Sequence, residues 1–302
     1  MLNPEDLYEL DTDLPPMTGP VLLHSLDGFV DAGSTGQLVR EHLLEALEHR
    51  VVARFDVDSL IDYRARRPPM TFDRDHWASY EAPELVVRLL RDDAGTPFLM
   101  LSGPEPDRLW EGFTSSVLHL VKRLGIGLVI GFHGIPMGVP HTRPVGITSH
   151  ATRPELVTRT SWFDKVQVPG SVAGLLELRL GEAGQDAVGF AVHVPHYLAQ
   201  SAYPAAAVAA LDAVADATGL ALPVEPLREA AAATDADIAE QVDGNDEVEK
   251  VVRALEQQYD AFAGAAERDS LLAESQDMPT ADELGAQFER FLAEQDGPDA
   301  QG

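Results

Sequence analysis

The chain has no cysteine, which removes disulfides, thiolate metal sites and thiol nucleophiles from consideration. It also lacks any apolar run of the roughly 18 residues a membrane-spanning helix needs. The opening stretch MLNPEDLYELDTDLPP carries neither a basic region nor an apolar core, so no secretory signal is expected and the chain reads as cytoplasmic. Positive charge is scarce. In 302 residues, 22 Lys and Arg face 50 Asp and Glu, a formal net charge of −28. Such a surface repels nucleic acid and anionic membrane, so neither is an expected partner.

What remains is organised around Val21 to Arg40, VLLHSLDGFVDAGSTGQLVR. A short apolar run of strand length ends at Asp27-Gly28, a turn signal because glycine reaches positive φ at little cost. Leu43, Leu44 and Leu47 then repeat at helical spacing. A glycine-marked turn between strand and helix invites a phosphate reading. Here the spacing DGFVDAG matches neither GxGxxG nor GxxxxGK[ST], and Asp27 and Asp31 would repel a phosphate. Asp31 suits a cap or loop tie better than a ligand contact. Asp31 and Gly33 nevertheless stay among the candidate ligand-binding residues.

The rest of the chain reads as an α/β domain. Residues 1–19 form an acidic lead-in, 20–222 the domain, 223–264 a helical segment and 265–302 an acidic tail. Strands are expected at Val51 to Val57, Gly127 to Phe132, Val145 to Ser149 and Val188 to Val194, and a further short one before the helix that starts near Ser171. Glu84 to Ser102 reads as a hairpin around Asp92-Asp93-Ala94-Gly95. Trp110, Phe113, Val117, Leu120, Val121 and Leu124 share one face of a helix stopped by Gly125, and Trp110 and Phe113 read as core. Alanine-rich helices follow from Pro204. The tail carries ten acidic residues against Arg268 and Arg290. Within it Thr280 to Glu283 matches a capping box ahead of Leu284, Phe288 and Phe291, a helix that can dock on its own domain or on a partner.

Two stretches carry candidate chemistry. Arg64, Arg66 and Arg67 cluster in a loop-like segment before Pro68-Pro69, where they either pair with neighbouring carboxylates or meet a partner. Val-Pro-His occurs twice, at 139–141 and 194–196, each near a predicted strand end. Open α/β sheets bind ligands at the carboxyl ends of their strands, so His141, Arg143 and His196 form a ligand-site candidate. The spacing of His133, His141 and His150 across prolines does not match a metal motif, and neither a metal nor a cofactor is expected.

The strings GFVDAG, SGPEPDRLWEGF, VPHTRPV, PGSVAGLL and AVHVPHYLAQSAYPAAAVAAL together resemble, in this order, the actinobacterial branch of the second type of proteasome assembly chaperone, over about residues 20 to 262. The resemblance implies a three-layer α/β domain, a sheet flanked by helices and distantly nucleoside-phosphorylase-like, with a helical C-terminal segment. It also implies a non-enzymatic homo-oligomer, a trimer above other forms, that binds proteasome subunits. The family offers no established catalytic set. The sequence ends Asp299-Ala300-Gln301-Gly302 rather than in the hydrophobic-tyrosine-any motif of many proteasome activators, so activation by C-terminal insertion is not expected. A small-molecule enzyme or sensor with its pocket at the strand ends is the alternative.

Overall fold

The computed structural model describes residues 3–157 and 165–271. Its centre is four parallel strands in the order β7 (Pro97–Pro104), β2 (Val21–Asp27), β8 (Leu128–Met137) and β10 (Ala187–Pro195). All nine residues of β10 are buried. That burial explains why its sequence runs apolar without alternation, since a parallel strand is covered on both faces. Antiparallel strands close the two sides: β6 (Val86–Arg91), β3 (His49–Phe55) and the three-residue β1 (Tyr8–Leu10) beyond β7, and β9 (Ile147–Ala151) beyond β10. The result is a mixed eight-stranded sheet. Short edge strands limit the unpaired backbone it presents.

Helices cover both faces, which makes three layers. On one side α1 (Thr35–Ala46), α5 (Pro204–Thr218) and α6 (Glu225–Asp243) bury Val39, Leu43, Ala206, Leu211 and Leu227 against Leu23, Ile130 and Val192. On the other side α3 (Trp110–Leu124) and α4 (Val172–Glu182) bury Phe113, Val117, Leu176 and Leu180 against Leu22, Val129 and Ala187. The faces alternate along each strand, as the pleat requires. The acidic lead-in supplies β1, and the helical segment continues through α7 (Asp246–Leu271). Among the described residues no helix is long and apolar enough to cross a membrane.

Several expectations hold in detail. Glu84 to Ser102 contains the β6–β7 hairpin, where Asp92 accepts the N–H groups of Ala94 and Thr96 and reaches Ala221 N at 2.8 Å. α3 stops at Gly125, with φ 61°, a backbone state in which a β-carbon would be strained. Two local expectations fail. Val166 and Val168 lie in irregular, exposed chain instead of a strand, paired with no strand among the described residues. The loop-like segment around Arg64 to Arg67 is flanked by a helical turn, α2 (Val57–Leu60), and by a separate two-stranded ribbon of β4 (Met70–Asp73) and β5 (His76–Tyr80).

Candidate functional site

The chain leaves β2 at one end of the parallel sheet, turns through 28–34 and enters α1, while β8 diverges beside it to the opposite flank of the sheet from β7. This is the switch-point geometry that makes a crevice at strand carboxyl ends. Asp31 lies in this turn. Its Oδ1 accepts Gly36 N at 2.9 Å and Gly134 N at 3.0 Å, and its Oδ2 accepts Gly36 N and Gln37 N at 3.0 and 3.2 Å. One carboxylate thus caps α1 and ties that helix to β8. Gly33, at φ 67°, donates to Ala199 O and accepts from Tyr203 N, and a β-carbon there would press on Tyr203 and Val194. Gly33 thus serves the packing between the β2 and β10 exits, as Asp31 serves that between α1 and β8.

On the β7 side Arg66 occupies the junction. It donates to the carbonyls of Asp27 and Glu105 and pairs with Asp107. Burial opposes ionisation of Asp107, yet the Arg66 guanidinium and the Asp62 N–H hold its carboxyl below the usual range. Glu105, itself buried, accepts Val172 N at 2.7 Å and so fixes the start of α4. Arg64 and Arg67 are not used in this way. Arg64 stands 86% exposed, 3.8 Å from Asp62, and Arg67 is exposed with no carboxylate partner among the described residues.

The two Val-Pro-His loops do meet. Tyr197 Oη lies 2.7 Å from His141 Nδ1 and accepts His141 N at 2.9 Å, and the His196 ring stands edge-on to the same tyrosine. Burial lowers the His141 pKa, against the opposing fields of Asp235 and Glu256, and raises that of Tyr197. His196 itself is exposed. Arg143 turns to α7: its Nε and Nη2 make a fork of two 2.7 Å bonds to Asp260, and Nη1 reaches Glu256 at 3.2 Å. Thr142 and Tyr259 add bonds across the same joint. The anions that Arg143 holds are therefore the chain's own, on α7.

A further cluster lies on the α4 face of the sheet. His24, Gly131, Gly189 and His150 are in register across β2, β8, β10 and β9. A β-carbon at Gly131 would lie 2.5 Å from His24 Cε1, and one at Gly189 would fall on the His150 ring, so the two imidazoles lie over two glycines. His133 shares the face, and Glu177 of α4 bonds His150 Nδ1 at 2.8 Å. Burial pushes the His24 pKa down to about 4, with Glu177 opposing and His133 and His150 adding to the shift. Neither ring nitrogen of His24 has a hydrogen-bond partner among the described residues. Burial also lowers His133 and takes His193, bonded to Thr148, to about 4. Among the described residues no three His, Asp or Glu side chains converge as a metal site would require. His24 is absent from the sequence-predicted candidates. Its signal was a lone histidine inside an apolar run, and its partners are set by register. Leu284, Phe288 and Phe291 lie outside the described residues.

Comparisons agree with this architecture. A Mycobacterium tuberculosis protein of unknown function is 49% identical, covers 88% of this chain and 93% of its own, and superposes with a TM-score of 0.83. A Corynebacterium glutamicum protein of unknown function is 39% identical over 85% and 98%, with a TM-score of 0.81. A Mycobacterium tuberculosis proteasome-assembly chaperone homologue, 24% identical over 77% and 99%, shares the fold at a TM-score of 0.71. No curated protein matches. The family model described as the PAC2 family matches residues 25–242, from within β2 to the end of α6, and the chain belongs to the PAC2 family.

Proposed function

We propose that the chain is a non-enzymatic, cytoplasmic, self-associating interaction protein that assists proteasome-type assembly by binding proteasome subunits through a folded surface. Membership of a family with a relative described as a proteasome-assembly chaperone homologue supports the reading. The observation that carries it is how the polar groups at the strand ends are used. Asp31, Arg66, Glu105, His141 and Arg143 are committed to internal bonds, while Phe29, Val30, Leu109 and the aromatic β4–β5 ribbon face outward. A surface that consumes its polar groups and displays apolar ones suits protein contact better than bond chemistry. Native mass spectrometry of the tagged protein recovered from its own cells tests this. Proteasome α subunits or half-assembled particles travelling with it are expected, and recovery of the bare protein alone would count against the reading.

A second reading draws on His24. A nine-tenths buried imidazole with no hydrogen-bond partner among the described residues, over a glycine floor, suits a small ligand that offers it one. Thermal-shift screening against nucleosides, nucleotides and carboxylates tests that reading. A hit that survives His24→Phe would remove it.

A further inference from the structure

On the face of the sheet that α4 covers, the character of the strands changes within one pleat. Leu22, Val129 and Ala187 form a row of apolar side chains packed with Leu176 and Leu180. Two residues further along the same strands the row becomes His24, Gly131 and Gly189, continued by His150 of β9, and two residues beyond Gly131 stands His133. The α-carbons of His24 and His150 are three strands, about 14 Å, apart. Their rings lean inward over β8 and β10, since a β-carbon at Gly131 would strike the first and one at Gly189 the second. The two imidazoles therefore stand over adjacent strands, about 5 Å apart, with His133 about 7 Å along β8.

Imidazoles so spaced are too far apart to close on one metal ion, whose nitrogen ligands sit about 3 Å from one another. The spacing suits a molecule of several atoms hydrogen-bonded to each ring. His24, 6% exposed, and the partly buried His133 make no hydrogen bond among the described residues. His150 gives Nδ1 to Glu177 and keeps Nε2, and its side chain is 47% exposed, so the cluster opens to solvent on the β9 side.

The class of the missing partner follows from what these groups can accept. A neutral imidazole carries one N–H donor and one bare acceptor nitrogen. Ammonium groups only donate, carboxylates and phosphates chiefly accept, and a hydroxyl does both. Charge points the same way. Burial favours the neutral form of His24 and His133, and the charges acting on them are those of Glu177, Asp31 and the neighbouring histidines, with no arginine or lysine among them. An anion would enter without a countercharge, which is costly in a buried site. A cation would find Asp31 and Glu177 already engaged, with backbone N–H groups and with His150.

We propose that the His24–His133–His150 cluster binds an uncharged polyol about one sugar ring across, whose hydroxyls both donate to and accept from the three imidazoles. The proposal rests on His24 as a ligand site and names the class of that ligand. Imidazole 15N spectra of the full chain read it out, titrated separately with D-ribose, D-glucose, myo-inositol, acetate, phosphate and methylammonium near neutral pH. At least one of the three polyols is expected to shift His24, His133 and His150 together and saturably, while His42, His49, His76 and His119 stay still. His24→Phe, which keeps a ring over Gly131, should abolish the response, and His133→Leu should weaken it about tenfold. A cluster that answers only acetate, phosphate or methylammonium would overturn the polyol assignment and leave His24 a ligand site for a charged molecule. Silence toward all three polyols, or a polyol response that His24→Phe leaves intact, would also overturn it. The wild-type spectra decide the first two outcomes whether or not a variant folds, and the thermal-shift screen tests His24 as a ligand site separately.

Discussion

The loop that follows β8 and the segment that links α2 to β6 both hold arginine beside proline, yet they use these residues in opposite ways. In the first, Arg143 is forked onto Asp260 and His141 onto Tyr197, so that the loop becomes the seat of α7. In the second, Arg66 alone among the arginines is tied down by close bonds, at the base, and beyond it the aromatics of the ribbon meet one another and solvent. The contrast separates residues that complete the fold from residues left over by it. Composition does not distinguish the two. Partners do.

That separation can be broken or sharpened by experiment, and the largest effect is expected where internal commitment is densest. Asp31→Ala strands the N–H groups of Gly36, Gln37 and Gly134 and should lower stability by about 4 kcal/mol, measured by urea unfolding. A loss under about 1 kcal/mol would show that water replaces the carboxylate and that the crevice is open.

Acid comes next. The His24 pKa in the folded chain, about 4, lies below its ordinary 6.5, so its contribution is complete above pH 6.5 and is lost as the pH falls toward 4. The decline amounts to about 3 kcal/mol for this one group. Most carboxylates are still ionised over the upper part of that window, so little relief of acidic repulsion offsets the loss there. His24→Phe should flatten the curve, and an unaltered acid profile would place the lability with His193 or another group.

Arg143→Ala should leave the melting temperature of the domain nearly unchanged but speed amide hydrogen exchange along α7, because its fork is a surface joint. Equal protection in the variant would mean that α7 holds by other contacts. The smallest effect belongs to the ribbon: Trp77→Ala should change the stability of the isolated chain by no more than about 0.5 kcal/mol. A larger loss in dilute solution would reveal that the ribbon folds back on its own domain.

How much of this was legible in the sequence follows from the range of the forces involved. The β2–turn–α1 unit, β8, β10, α3 and α5 announce themselves because burial stamps a local period on the chain, and Gly125 and Gly219 mark helix ends by conformations other residues resist. The β4–β5 ribbon left no such mark. Both of its faces meet solvent, so MTFD and HWASY have no inward side to alternate with. Val166 and Val168 show the converse, an apolar pair that resembles a strand but joins no sheet among the described residues. Within the candidate site, the proximity of His141 and His196 could be anticipated from two strand ends of the same kind. The capture of Arg143 by a helix more than a hundred residues later could not, since nothing local encodes it. The histidine row was hidden for the same reason, because register between distant strands becomes readable only once the sheet is assembled.

The two glycines beneath that row imply a constraint on descent. An alanine at position 131 or 189 would collide with the ring lying over it, so neither glycine can change while its histidine stays, and a histidine lost leaves a gap that a larger floor residue can fill. Positions 24 and 131 should therefore be inherited as a pair, and 150 and 189 as another, drifting together across the family even though more than thirty residues separate the members of each.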